Sequence, residues 1–288
     1  MRLPSLIALA LSFTIVTASV AAPAGTPPRP PVQPAAPGAC TPMPRPRSGP
    51  LPFPVGEALT FDVDVMGAKA GRMSFEVLPT LGAGASAEIP IRVRAESNTF
   101  FNKVRKIRGE VFSYLRARDL RSSRFHEDAA EGSLTRVADV GFNSDRTVDV
   151  RWKSNNGREG ASRHAVAADA VDYAGAIYLF RAIPLTVGQT FCFDVYAIKR
   201  IWRLEGKVES KEHVSVPAGE FEAYHLSGLA TSVTGNLKRE VHVWISDDAR
   251  RLPVAALGVI DLGPVRAQLV EIERPDLRSG APRRPMEW

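Results

Sequence analysis

Apolar and polar residues alternate with a period of two through most of this chain. In GEALTFDVDV, Leu59, Phe61, Val63 and Val65 take one set of alternate positions and Thr60, Asp62 and Asp64 the other. Side chains on a strand point to opposite faces in turn, so this is a strand with one buried face. GAKAG then turns the chain, and RMSFEV sets Met73, Phe75 and Val77 against Arg72, Ser74 and Glu76, completing a hairpin. The alternation continues in IPIRVRAES, GEVFSYL, SSRFHEDA, LTRVADVGF and TVDVRW, separated by the turn-rich ARDL, AAEGS and NSDR, and resumes in FCFDVYA, IWRLEGKVESKEHVSV, FEAYHLSGL and PVRAQLVEIE. Turns recur about every ten residues, which predicts an antiparallel meander of about a dozen strands. The expected fold is therefore all-β over residues 55–273, curved into a sheet, barrel or half-barrel.

One segment keeps a different period. AADAVDYAGAIYLFRAI, residues 167–183, is rich in alanine, carries Val171, Ala174, Ile177 and Tyr178 at helical spacing and is stopped by Pro184. It predicts a single interrupting helix near residues 168–182. Eight strands already leave an interior just wide enough for side chains or one small ligand, so the surplus must form a second layer, a helix-covered half-barrel or a cavity. In the cavity arrangement Tyr173, Tyr178 and Phe180 would cover the mouth or plug the lumen, and Arg181 would meet the acidic head group of a ligand or a structural carboxylate. These four are the candidate ligand-binding residues.

VWISDDARRLPVAA, residues 243–256, has the charge of a catalytic motif and the pattern of a corner. Val241, Val243 and Ile245 alternate up to Ser246, Asp247 and Asp248 have turn chemistry, and Leu252, Pro253 and Val254 begin a return strand. Adjacent aspartates on a strand face opposite ways and no third carboxylate follows, which favours a turn over an acid/base pair or a metal site.

The ends differ from the body. MRLPSLIALALSFTIVTASVAA has a basic start, a short apolar run and a small-x-small ending, the pattern of a cleaved signal peptide over residues 1–21. Residues 22–54 hold more than half of the 23 prolines and read as an extended linker. Residues 274–288 form a basic tail. The formal charge of +6 and pI of about 9.5 lie in these ends, and the body is neutral, which is no footprint for nucleic acid. The expected location is periplasmic or secreted, with no membrane span in the mature chain. In an oxidising compartment Cys40 and Cys192, the second on the polar face of FCFDVYA, suggest one disulfide; two free thiols or a bond between chains are the alternatives. APGAC is not a lipoprotein box, because it lies far beyond the apolar run and has Pro37 three positions before the cysteine.

Candidate chemistry is sparse. HExxH, GxSxG, SxxK and GxxxxGK[ST] are absent, so neither a hydrolase nor a nucleotide signature is present. His213 and His225 flank the VPAGEF loop and are expected opposite or one register apart, as a metal pair or as two surface histidines. KVRKIR, residues 103–108, is a patch for an anionic surface or a solvated loop. No metal or cofactor is expected. The reading is a non-catalytic module that binds an apolar or amphipathic ligand such as a lipid, acyl chain or lipoprotein. The alternatives are a structural or interaction protein of the envelope with a filled core, and, third, an enzyme on envelope polymers.

Four segments carry a resemblance: GEALTFDVDVMGAKAGRMSFEV, DYAGAIYLFRAIPLTVGQTF, VPAGEFEAYHL and VWISDDARRLPVAALGVIDLGPVRAQL, in this order. Over roughly residues 53–273 the chain resembles the bacterial exported family known as domain of unknown function 3108. The resemblance implies a class and a location but no established activity. That family's central segment carries a serine near the helix start and a Tyr-x-x-Arg; here Tyr178 and Arg181 stand, with Gly175 at the small position. The closing stretch is also similar to the end of the periplasmic lipoprotein carriers, which are half-open antiparallel barrels.

Overall fold

The alternating segments become strands of a single sheet in the computed structural model, which describes residues 32–33, 40, 43–166 and 169–275. The expected signal peptide, much of the proline-rich stretch and nearly all of the basic tail lie outside the described residues. The strands are β1 (Val32–Gln33), β2 (Ala58–Val65), β3 (Ala68–Val77), β4 (Glu88–Ser97), β5 (Ile107–Arg116), β6 (Ser122–Glu131), β7 (Leu134–Phe142), β8 (Thr147–Ser154), β9 (Glu159–Ala165) and β10 (Ala170–Asp172). After helix α1 (Tyr173–Ala182) follow β11 (Thr190–Ala197), β12 (Arg200–Val216), β13 (Gly219–Ser232), β14 (Lys238–Ser246), β15 (Pro253–Ile260) and β16 (Gly263–Glu273).

Two meanders make up the sheet. One steps outward from β2 to β9, the other returns from β11 to β16, and they join where β2 pairs antiparallel with β16, Phe61 opposite Leu269. The outermost strands are the short β1, parallel to β9, and β10, parallel to β11. The chain midpoint crosses from one edge to the other through β10 and α1.

The sheet does not close by hydrogen bonds; its edges overlap. Phe191 and Phe193 of β11 point inward onto Phe180 of α1, with ring centroids 5.0 and 5.7 Å apart. On the opposite face of β11, Tyr196 meets Phe125 of β6 at 5.3 Å, and Arg136 of β7 donates to its hydroxyl at 3.4 Å. The N-terminal meander thus lies outside the C-terminal edge, and the helix packs across one end of the roll. Leu59, Ile91, Leu115, Leu179, Phe193 and Ile245 are fully buried in the resulting core, which also takes Met43 and Phe53 from the proline-rich stretch.

Sixteen strands appear among the described residues where about a dozen were expected. The additions are β1 and β10, whose parallel pairing is tertiary, and β9, which closes a hairpin with β8. In β9 the inward positions are Gly160, Ser162 and His164, so no apolar alternation marks it. Gly160 is required there: a Cβ would come within 2.7 Å of the Trp152 indole nitrogen. The helix also starts later than its alanine-rich approach suggests. Asp172, with extended backbone, is the N-cap, and its side chain accepts from the Gly175 N–H.

Candidate functional site

α1 lies across one end of the roll, its start bonded to Ser113 and Ser122 and its end to Glu57 and the β14–β15 turn, with eight of its ten residues buried. Only Tyr173 and Ile177, one turn apart on one face, are partly exposed, so the polar groups on the rest of the helix need partners inside. At the N-terminus the carboxylate of Asp172, fully buried, accepts from Gly175 N at 2.9 Å and from the hydroxyls of Ser113 and Ser122 at 2.7 Å each. Asp172 N in turn donates to Ser122 Oγ at 2.9 Å. Burial pushes the Asp172 carboxyl above the usual range, and the donors from Gly175, Ser122 and Ser113 oppose that rise. This cluster ties the helix start to β5 and β6.

The helix end is held by Arg181. Its Nη1 and Nη2 donate to the two oxygens of Glu57 at 2.6 and 3.0 Å, a bidentate pair with both side chains buried. Nε donates to the carbonyl of Arg251 at 2.9 Å and Nη2 to that of Arg250 at 3.1 Å. Arg274 adds a second guanidinium to Glu57 at 3.1 Å. Arg181 therefore meets a structural carboxylate. Of the other expected ligand-binding residues, Tyr178 packs edge-on against Phe53 at 4.7 Å, Phe180 packs on β11, and Tyr173 packs on Phe125 at 5.9 Å. Burial raises the hydroxyl pKa values of both tyrosines.

A strap runs across the overlap. Cys40 and Cys192 form a disulfide within the chain, with Cα atoms 5.1 Å apart. The arm then docks: Met43 N donates to Asp169 at 2.7 Å, Arg121 bonds both Asp169 and the Met43 carbonyl, and Arg47 N donates to the Ala182 carbonyl at the helix end.

The histidines pair differently from the expectation. His213 lies opposite Glu222 and bonds Glu220 and Glu222, which raise its pKa, whereas His225 lies opposite Ser210. His225 instead stacks on Trp244 at 4.6 Å and shares a hydrogen bond with His242 at 3.0 Å, because β13 pairs with β14 on its other side. Ser162 and His164, both inward on β9, approach to 2.9 Å, but the His164 Nδ1 is buried without a partner, so no third group orients the ring. Their two-residue spacing in EGASRHA was the available signal. On the outer face of β5 to β8 a groove of roughly 540 Å³ is lined by Tyr114, Arg124, His126, Asp139, Asp149 and Arg151 among others, with His126 bonded to Asp139 at 2.7 Å. Among the described residues no group of three or more His, Cys, Asp or Glu side chains is arranged to hold a metal.

The family model for proteins of unknown function DUF3108 matches residues 60–270. The chain belongs to the DUF3108 family. This DUF3108 protein shares its fold with a beta-barrel-like protein of the domain of unknown function DUF1849 from Brucella abortus, at 9% identity and a TM-score of 0.51, covering 77% of this chain and 98% of that one. An exported protein with a YmcC-like fold from Bacteroides fragilis (8% identity, TM-score 0.35, 81% and 100% covered) is more distant. So is a lipoprotein from Parabacteroides distasonis (9%, 0.33, 77% and 98%). None of the curated proteins matches significantly. In this DUF3108 chain Gly175 has a clear reason: a Cβ there would lie 2.7 Å from Ser122 Oγ and 3.1 Å from Leu115. The hydroxyls in this region come from Ser113 and Ser122 instead.

Proposed function

We propose that the protein is an exported, non-catalytic interaction module of the cell envelope, a filled roll that meets its partner on its outer surface. The observation that carries this reading is the packed interior, closed at one end by the helix. α1 seals that end with Tyr178, Leu179 and Arg181 buried, and the Arg181 guanidinium is already engaged by Glu57 and two carbonyls. Export is supported by the leader-like pattern of residues 1–21 and by a disulfide, which persists in oxidising compartments. Among the described residues no helix is long and apolar enough to cross a membrane.

Titration of the delipidated protein with a fluorescent fatty acid tests the reading. The expected result is no saturable binding. Saturable binding that is weakened by a bulky substitution on the helix, such as Ala176→Phe, without unfolding the domain would overturn it in favour of a carrier for lipid, acyl chain or lipoprotein.

A further inference from the structure

One end of the roll displays apolar side chains that the fold does not need. The loop between β4 and β5 contains a short 3₁₀ turn, Phe101–Lys103, whose Phe101 is buried against Val65 and Ala70, with Ile107, Leu262 and Val265 packed around them. The loop is rigidly built. Asn98 accepts from Phe101 N at 2.8 Å and donates to the Lys69 carbonyl at 2.7 Å, Ser97 bonds Asn102, and Arg105 pairs with both Asp261 and Glu131. With Phe101 as the anchor, its neighbours Phe100 and Val104 are left 64% and 69% exposed.

Beside this loop stands the two-residue turn between β2 and β3. Met66 and Gly67 both have positive φ, 53° and 81°, the geometry that favours Asn, Asp or Gly at each position. A methionine at such an apex runs against turn propensity, and it is 72% exposed. The β15–β16 turn completes the same rim, since Met66 N donates to the Pro264 carbonyl. Three large apolar side chains at loop apices, on a scaffold anchored by other residues, mark a contact surface.

Charge identifies the partner. Residues 97–109 contain Lys103, Arg105, Lys106 and Arg108 and no acid. Asp261 and Glu131 offset Arg105, whereas Lys103 and Lys106 are exposed and form no ion pair among the described residues. Apolar apices interleaved with unpaired ammonium groups match the boundary of an anionic bilayer, where acyl chains accept the first and phosphates the second. We propose that this rim docks on an anionic lipid surface, with Met66, Phe100 and Val104 entering the headgroup region and Lys103 and Lys106 meeting lipid phosphates. The inference names a partner for the interaction module proposed above and rests on that reading.

The test is flotation of the full mature chain with vesicles of phosphatidylcholine alone and of phosphatidylcholine mixed with phosphatidylglycerol. Binding is expected only to the second, and is expected to weaken with salt. Lys103→Ala with Lys106→Ala is expected to lower the affinity about 30-fold, at about 1 kcal/mol per lysine near an anionic surface. Phe100→Ser with Val104→Ser is expected to lower it about tenfold or more through lost apolar burial, with the melting temperature unchanged because both side chains are exposed. No flotation with the anionic vesicles overturns the proposal. Flotation that depends on the lysines but survives loss of Phe100 and Val104 also overturns it, and indicates electrostatic attraction to the phosphates without insertion of the rim. The fatty-acid titration separates the two readings: saturable fatty-acid uptake defeats the filled-core reading, whereas absent flotation with absent uptake defeats the rim alone.

Discussion

Glu57 is the residue on which two buried cations depend. Arg181 and Arg274 both donate to it, and both side chains are buried. Removing one partner of a buried pair leaves an uncompensated charge, which costs about 3–5 kcal/mol. Glu57→Gln, close in shape, is therefore expected to lower the urea midpoint strongly, and a change below about 1 kcal/mol would show that the carbonyls of Arg250 and Arg251 suffice. His164 acts with the opposite requirement, because its ring is buried and burial lowers its pKa from the usual 6.5. The folded chain then holds fewer protons than the unfolded chain between the two values. Stability from this site is whole above pH 6.5 and declines as the pH falls below it. Melting curves across pH are expected to show a shallower acid-side decline in His164→Gln; equal slopes would remove His164 from the linkage.

At the scale of the element, α1 depends on its start. Asp172 caps it, Ser113 and Ser122 hold the cap, and Gly175 lets β5 and β6 approach. Gly175→Ala would gain helix propensity in an isolated peptide, about 1 kcal/mol. In this site the added Cβ overlaps Ser122 Oγ, which is itself fixed by Asp172, and overpacking of this kind costs about 1–3 kcal/mol. The net expectation is destabilisation, read as a lower denaturation midpoint. A stabilised variant would mean that Ser122 can leave the carboxylate without cost.

At the scale of the molecule, the overlap of the two sheet edges is secured by the strap as much as by packing. The disulfide joins residues 152 apart, and a loop of that length corresponds to about 5 kcal/mol in the chain-entropy account, an upper limit. Part of that limit is expected to be realised, since Met43 and Phe53 are buried and a free arm would have to find its site again. Cys40→Ser with Cys192→Ser should lower the urea midpoint and increase proteolysis of the arm ahead of the roll. An unchanged midpoint and unchanged cleavage would show that the docking contacts act alone.

Local regularities were legible in the residues themselves. Period-two alternation in GEALTFDVDV or FCFDVYA reports a strand with a buried face wherever its partner lies, and Ala174, Ile177 and Tyr178 before Pro184 report a helix. The turn chemistry at Asp248 was equally local, its carboxylate accepting from the N–H groups of Arg250 and Arg251. The start of α1 was misplaced because alanine content favours helix, whereas Asp169 and Asp172 are engaged by Ser113 of β5, Ser122 of β6 and Arg121 of the turn between them. β9 escaped notice because Gly160, Ser162 and His164 face inward without an apolar repeat. Arg181 could be singled out from its place on the helix, but its partner Glu57 lies 124 residues away, and no local period encodes a contact at that separation. Whether the roll holds a space or a packed interior is a matter of summed volumes and of how far two edges overlap, and only the assembled sheet decides it.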